Sequence, residues 1–354
     1  MENPKNGDGS PGRFSDRSGT LSFSGDGGIV TSHHSAHRSA TAFAPATVAN
    51  VACGFDVLGF ALTHPGDEVR AWRWAGPGVV IDEITGDEGR LPREAARNTA
   101  GVAVQALLDA LGARQGIALA LHKGLPRSSG LGGSAASAVA AVVAADAVLG
   151  AATPPDLLLR CAMEGERLAS GETHPDNVAP ALLGGFVLAR SVDPLDLVQL
   201  PVPDGLACAI IHPHLEVETA AARRLLGDTV PLRAAVRQWG NLGGLIAGLY
   251  RADLDLIGRS LDDAIAEPKR SALVPGFAAM KQAALGAGAL GCSLSGSGPS
   301  LFALCRTIAD ASGVADAMRL ALEGSTSIAS EAWVSPVSQQ GARVTQVSDP
   351  ACAT

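Results

Sequence analysis

No run of lysines and arginines occurs anywhere in this chain, and its formal charge is −8. A general nucleic-acid binder needs a basic stripe against the phosphates, so no nucleic-acid partner is expected. Nor is there an uninterrupted apolar stretch of about 18 residues, the length that crosses a bilayer. The longest apolar run, Ala135 to Val148, is rich in alanine and broken by Ser137 and Asp146, which suits a buried helix better. No membrane partner is expected. The six cysteines have no Cys-x-x-Cys spacing and read as small core residues in a reducing compartment, not as a zinc or disulfide framework. A cytoplasmic location is the corresponding expectation.

What remains is a globular enzyme-like composition: 47% apolar residues, only 18% charged ones, and 42 glycines for tight turns. The 354 residues are enough for one large or two ordinary cores. Residues 1–37 are mostly Ser, Gly, His and Asp, with too little apolar surface to offset ordering entropy. They are expected to be a disordered extension, and they contain no apolar signal-peptide core. With the protein net negative, any anionic substrate must be held by local dipoles and a few cations.

Strands are predicted at Ala42–Pro45, Val69–Trp74, Val79–Ile84, Ile117–Leu121, Leu183–Leu188 and Ala207–His212, from apolar alternation and turn signals. A helix is predicted from Asn98 to Leu111, stopped by Gly112, and another from Pro155 to about Ala169 with proline in its first turn. Asp193 to Pro203 reads as a boundary, followed by a strand, four helical patterns and a strand pair at Leu290–Leu294 and Leu301–Cys305. Without a regular βαβα repeat the expected fold class is α+β, two-lobed, with mixed sheets packed by helices. The expected divisions are 38–200, 201–344 and a tail over 345–354.

The strongest local signal is a strand, glycine loop and helix from Lys123 to Ala136. Glycines let backbone approach a phosphate, and the helix that follows offers unpaired N–H groups and a positive dipole end. The same pattern also serves as a plain turn closing a βα unit. It is not a Walker A loop, because no Gly-Lys-Ser/Thr occurs, and Gly130-Leu131-Gly132-Gly133 lacks the Gly-x-Gly-x-x-Gly spacing of dinucleotide folds.

At these residues the chain resembles a known family. Pro126-Arg127-Ser128-Ser129-Gly130-Leu131-Gly132-Gly133-Ser134-Ala135-Ala136 resembles the phosphate loop of the GHMP kinases. Pro45 to Gly59 is similar to their amino-terminal motif, and Ser295 to Ala303 to their carboxy-terminal glycine motif. Three blocks in the right order are far more specific than one. Gly54-Phe55-Asp56-Val57-Leu58-Gly59, Ser170 to Pro180, and Ile265 to Arg270 followed by Leu273 to Phe277 resemble the homoserine-kinase branch in particular. The resemblance covers about Ala42 to Ala342. One departure is Gly133, where the family has the first serine of a Ser-Ser pair; the second is present as Ser134.

The resemblance implies a GHMP-kinase-like fold, ATP with Mg²⁺, and L-homoserine as the phosphoryl acceptor. It places Asn98, Lys123 and the loop residues Pro126 to Ala136 on the nucleotide, with Ser134 and Glu166 as magnesium ligands. It places Asn50, Asp56, His174, Asn177, Thr219, Arg223, Arg270 and Gly296 on homoserine. The catalytic assignment is Asn177, Asp176 and Arg223. Each has a plainer alternative: Asn98 as a helix N-cap, Lys123 as a strand-end lysine, Glu166 as a solvated helix residue, the arginines as surface ion-pair partners. A homodimer is a family-level expectation. Two other readings are a GHMP kinase for mevalonate, shikimate or a sugar, and a catalytically silent ligand-binding relative.

Overall fold

Alternating apolar residues are what a strand buried on one side requires, and the chain begins with such strands. The computed structural model describes residues 38–170 and 174–349. The extension expected over 1–37, the Gly171–Thr173 part of the fourth block, and positions 350–354 lie outside them. Strands β1 (Ser39–Ala49), β2 (Leu58–Trp74) and β3 (Val79–Thr85) lead to helix α1 (Thr99–Leu111) and β4 (Gly116–His122). Both β1 and β2 extend well past their predicted ends.

Helix α2 (Gly133–Leu149) follows the glycine loop and packs on β1, β2, α1 and α3 (Pro155–Ser170). Its alanines are buried on every side, so no amphipathic stripe is visible in its sequence. Helix α4 (Pro175–Leu183) then precedes β5 (Phe186–Val192) and β6 (Leu195–Leu200). Two expectations are corrected here. Leu183 ends a helix that Pro175 starts and Gly184 stops, and the supposed boundary at Asp193–Pro203 holds a strand whose Leu195, Leu197 and Val198 pack on the core.

Strand β7 (Ala207–Pro213) starts the second half, followed by α5 (Thr219–Arg224), α6 (Leu232–Arg251), α7 (Leu254–Ser260), α8 (Glu267–Arg270) and α9 (Phe277–Gly286). Five helices thus stand where four were expected, because α8 is too short to show periodicity. Strands β8 (Gly291–Leu294) and β9 (Leu301–Cys305), helix α10 (Ile308–Ser325), and strands β10 (Ser330–Pro336) and β11 (Arg343–Ser348) complete the described chain. Residues 345–348, expected as tail, lie in β11: Val344, Thr345 and Val347 favour a strand, and it pairs with β1.

The first sheet runs β11-β1-β2-β4-β3, with β5 pairing the start of β2 and β6 pairing β5; only β3 and β4 are parallel. The second runs β10-β7-β9-β8, antiparallel throughout. Alternate residues of its strands serve two cores. Ala207, Ala209 and Ile211 of β7 face α9 and α10, while Cys208 and Ile210 join the core of the first sheet. Phe302 of β9 likewise meets Phe60 at 6.0 Å between ring centroids, and Phe60 meets Phe186 at 4.9 Å. Mixed sheets, helices and two cores make the fold α+β. Among the described residues no helix is long and apolar enough to cross a membrane.

Candidate active site

The three sequence blocks meet at one point. After β1 the chain turns through left-handed backbone at Asn50 (φ 69°), Val51 (42°) and Ala52 (58°), a costly route for a β-branched valine. Asn50 braces this turn. Its Nδ2 donates to the Gly296 carbonyl at 2.9 Å, and its Oδ1 accepts from the Asp56 N–H at 3.0 Å. The β8–β9 turn in its turn rests on the phosphate loop, with Ser295 Oγ donating to the Gly130 carbonyl at 2.6 Å and the Ser300 N–H to Ser129 at 3.2 Å. A Cβ at Gly130, where φ is +80°, would lie 2.4 Å from the Ser295 carbonyl oxygen. Only glycine permits that approach.

Between these turns lies a cavity of about 430 Å³. One wall is the glycine loop, where Pro126, Arg127, Ser128, Ser129, Gly130, Gly132, Gly133 and Ser134 all face the space. Leu131, Ala135 and Ala136 do not: their side chains are fully buried and pack the core beneath. Gly132 caps α2 without a side chain, so the first-turn N–H groups of that helix have no intrahelical acceptor and present a positive dipole end. Ser134 Oγ donates to Glu166, delivered by α3, at 2.7 and 3.0 Å from its two oxygens. Burial raises the Glu166 pKa, opposed by that hydrogen bond and by Lys123.

Asn98 is the N-cap of α1. It faces the cavity, yet its Oδ1 caps α1 through the Ala100 N–H at 3.0 Å and its Nδ2 donates to Pro92 at 3.0 Å. Lys123 is neither an exposed strand-end lysine nor a free cation. It is buried, ion-paired with Asp67, and donates to the Gly133 carbonyl and Ser137 Oγ, each at 2.8 Å.

The opposite wall is ionic. Arg223 of α5 forks onto Asp56 with contacts of 2.9 and 3.0 Å and reaches His174 Nε2 at 2.8 Å. Thr219, one turn earlier on the same face, sits with its hydroxyl 3.3 Å from that of Ser297. Arg270 is buried, donates to Gly296 at 3.2 Å and Ala222 at 3.3 Å, and has its pKa lowered by burial against the pull of Asp56. The short helix carrying it is held by Asp263, which accepts from the N–H groups of Ile265, Ala266 and Glu267 at 2.8, 3.0 and 2.8 Å. Asp176 lies buried at the cavity wall, its pKa raised to about 7 by desolvation first and then by Asp56 and Glu166, with His174 opposing. Beside it, Asn177 accepts from the Thr47 hydroxyl at 2.7 Å.

Sequence reasoning missed four residues here. Thr47 and Phe55 stood inside the first block, and Phe55 lies beneath both arginines, its ring centre 5.5 Å from the guanidinium carbon of Arg223 and 5.1 Å from that of Arg270. Asp67 and Ser137 carried no visible signal, Asp67 being one of several charged residues along a strand and Ser137 a small residue in an alanine-rich helix.

A phosphate loop, an acidic oxygen pair and an ionic wall around one cavity define a small-molecule phosphotransferase. The GHMP kinase N-terminal family model matches residues 98–185, and the C-terminal one residues 245–324. A homoserine kinase of Chlorobium phaeobacteroides is 51% identical over 87% of this chain and 99% of its own length. The crystal structure of homoserine kinase from Cytophaga hutchinsonii superposes with a TM-score of 0.84 at 53% identity, covering 90% of this chain and all of that one (100%). The Leishmania major mevalonate kinase structure (16% identity, TM-score 0.65) covers 86% of this chain and 98% of its own, a likeness of fold alone. The chain belongs to the homoserine kinase family of the GHMP kinases.

Gly133, the departure from the family loop, has ordinary room. It opens α2, its φ is not left-handed, and an added Cβ would meet Leu125 at 3.5 Å and the Lys123 ammonium at 3.6 Å. Gly133→Ser is therefore expected to fold and to melt slightly higher, since glycine in a helix costs roughly 0.5–1 kcal/mol. One more hydrogen bond, about 0.5–1.5 kcal/mol, should lower KM for ATP a few-fold with kcat unchanged. ATP titration and a melting curve check this; a joint loss of activity and stability contradicts it.

Proposed function

We propose that this chain transfers the γ-phosphoryl group of ATP to the side-chain hydroxyl of L-homoserine, releasing O-phospho-L-homoserine and ADP. One observation carries the reading: the uncapped start of α2 and the Asp56–Arg223–Arg270 cluster open onto the same cavity. A zwitterion supplies one ammonium and one carboxylate. Asp56 is the partner for the ammonium, and the two arginines, spaced by Phe55, are partners for the carboxylate. Arg223 and Asp56 are paired with each other. The substrate's two charges replace that contact in kind, so neither side chain is left uncompensated.

In this reading residues 38–200 hold the nucleotide and 201–344 complete the acceptor side. The loop amides from Gly130 to Ser134 bind phosphate oxygens and stabilise charge that develops on them. Asn177, oriented by Thr47, directs the acceptor hydroxyl for in-line attack, and Thr219 and His174 shape the acceptor pocket. Most of the rate comes from such positioning. Asp176, its pKa raised to about 7 by burial, can take the proton from the hydroxyl.

Ser134 and Glu166 fit a hard cation: both offer oxygen, and burial gives the Glu166 carboxylate reason to hold a positive charge. Among the described residues no group of three or more His, Cys, Asp or Glu side chains makes a metal cage, as suits an ion that leans on substrate phosphates. Mg²⁺ held there supplies charge neutralisation between phosphate oxygens. The same reading includes a homodimer, carried by the family resemblance, and a cytoplasmic site of action, supported by the free, scattered cysteines.

Purified protein with Mg-ATP should convert L-homoserine and leave mevalonate and shikimate untouched; comparable turnover of shikimate, or none of homoserine, sinks the assignment. The pH profile tests Asp176 separately. Its raised pKa means the basic form is gained as pH rises through about 7, so kcat/KM should climb there and level above. Asp176→Asn should abolish that inflection and slow the reaction by on the order of 10²-fold or more, the usual worth of a placed base. A wild-type rate with the inflection intact removes Asp176 from the chemistry.

A further inference from the structure

The buried ion pair beneath the loop contradicts the natural role of its lysine. An ammonium has three protons, and those of Lys123 go to Asp67, the Gly133 carbonyl and Ser137 Oγ. None remains for a phosphate. The Lys123 and Asp67 side chains are only 5% and 1% exposed, so each charge is balanced by the other and not by solvent.

Asp67 is equally saturated. Its Oδ1 accepts from the N–H groups of Gly124 at 3.0 Å and Leu125 at 3.2 Å. Its Oδ2 accepts from the Lys123 ammonium and from Ser137 Oγ, the latter at 2.7 Å. Those four contacts fill the capacity of a carboxylate. Gly124 and Leu125 lie where the chain leaves β4 for the loop, whereas Gly133 and Ser137 belong to the first turns of α2. One carboxylate on β2 therefore ties down both ends of the phosphate loop. Asp67 itself does not line the cavity, while Lys123 and Ser137 do.

We infer that Asp67 is a positioning residue for nucleotide binding: it converts Lys123 from a phosphate ligand into a strut and fixes the loop's two ends, so that the α2 amides and Ser134 face the phosphates. The charge offered to the nucleotide then comes from loop amides, not from the lysine. This rests on ATP as the phosphoryl donor proposed above. Wild-type turnover tests that donor alone, and the ratio of variant to wild type tests Asp67.

Steady-state kinetics with Mg-ATP and homoserine on Asp67→Asn, Lys123→Met and the double variant decide the matter. Asp67→Asn should raise KM for ATP about tenfold or more, as expected when a buried charge loses its partner. KM for homoserine should stay within about twofold, a split that general destabilisation does not produce. The double variant, neutral on both sides, should lie nearer wild type than Lys123→Met does, the signature of a coupled pair. If Lys123 bound phosphate instead, Asp67→Asn would free its charge and lower KM for ATP, and the double variant would be no better than Lys123→Met. Either result overturns the inference. Should Asp67→Asn fail to fold, the comparison of Lys123→Met with the double variant still decides it.

Discussion

Everything at this site depends on the close contact between two glycine turns. The phosphate loop at Ser129–Gly130 and the β8–β9 turn at Ser295–Ser300 touch backbone to backbone, with the Ser295 hydroxyl on the Gly130 carbonyl and the Ser300 amide on Ser129. A side chain at Gly130 would not fit between them, since its Cβ would lie 2.4 Å from the Ser295 carbonyl oxygen. Their contact sets the distance between the start of α2, to which the proposed function assigns the phosphates, and Gly296, onto which Asn50 and Arg270 both hold. Acceptor and donor groups are thus aligned by main-chain geometry, which is far stiffer than long side chains across a cleft.

The electrostatics follow from the same economy of free charge. A protein of net charge −8 gains nothing from overall attraction to ATP. Its one lysine at the loop is neutralised by Asp67, leaving the helix-start amides and the Arg127 guanidinium as the positive groups on that wall. On the acceptor wall the arginines are balanced by Asp56 and stacked on Phe55. On the proposed function such a wall takes a zwitterion by exchanging partners and offers little to a neutral sugar, whose hydroxyls would leave the ions uncompensated.

Much of this was legible in the sequence. The glycine loop, α1 with its Asn98 cap, β4 and the β8–β9 pair follow from local pattern, and the three blocks located the cavity-lining residues because motifs concentrate there. Features set by distant contacts were hidden. Strand β6 looked like a boundary because Pro194, Pro201 and Pro203 bracket its six residues, and α8 has no period because Asp263, not repetition, holds it. Asp67 was invisible for the same reason: its meaning comes from partners far along the chain, and a lone aspartate in a strand ordinarily faces solvent. Leu131, Ala135 and Ala136 lie buried beneath the loop, since a motif includes residues whose side chains seat a loop as well as those whose side chains line a cavity.

The most direct measurement is titration of Gly130→Ala with ADP and, separately, with homoserine. The new methyl group would fall 2.4 Å from the Ser295 carbonyl oxygen at a residue with φ of +80°, forcing the two turns apart. If their contact aligns both subsites, both affinities should fall together by at least about tenfold, roughly 1.4 kcal/mol each. Wild-type affinity for both ligands, or loss of ADP binding alone with homoserine unaffected, would contradict a shared alignment of the two subsites.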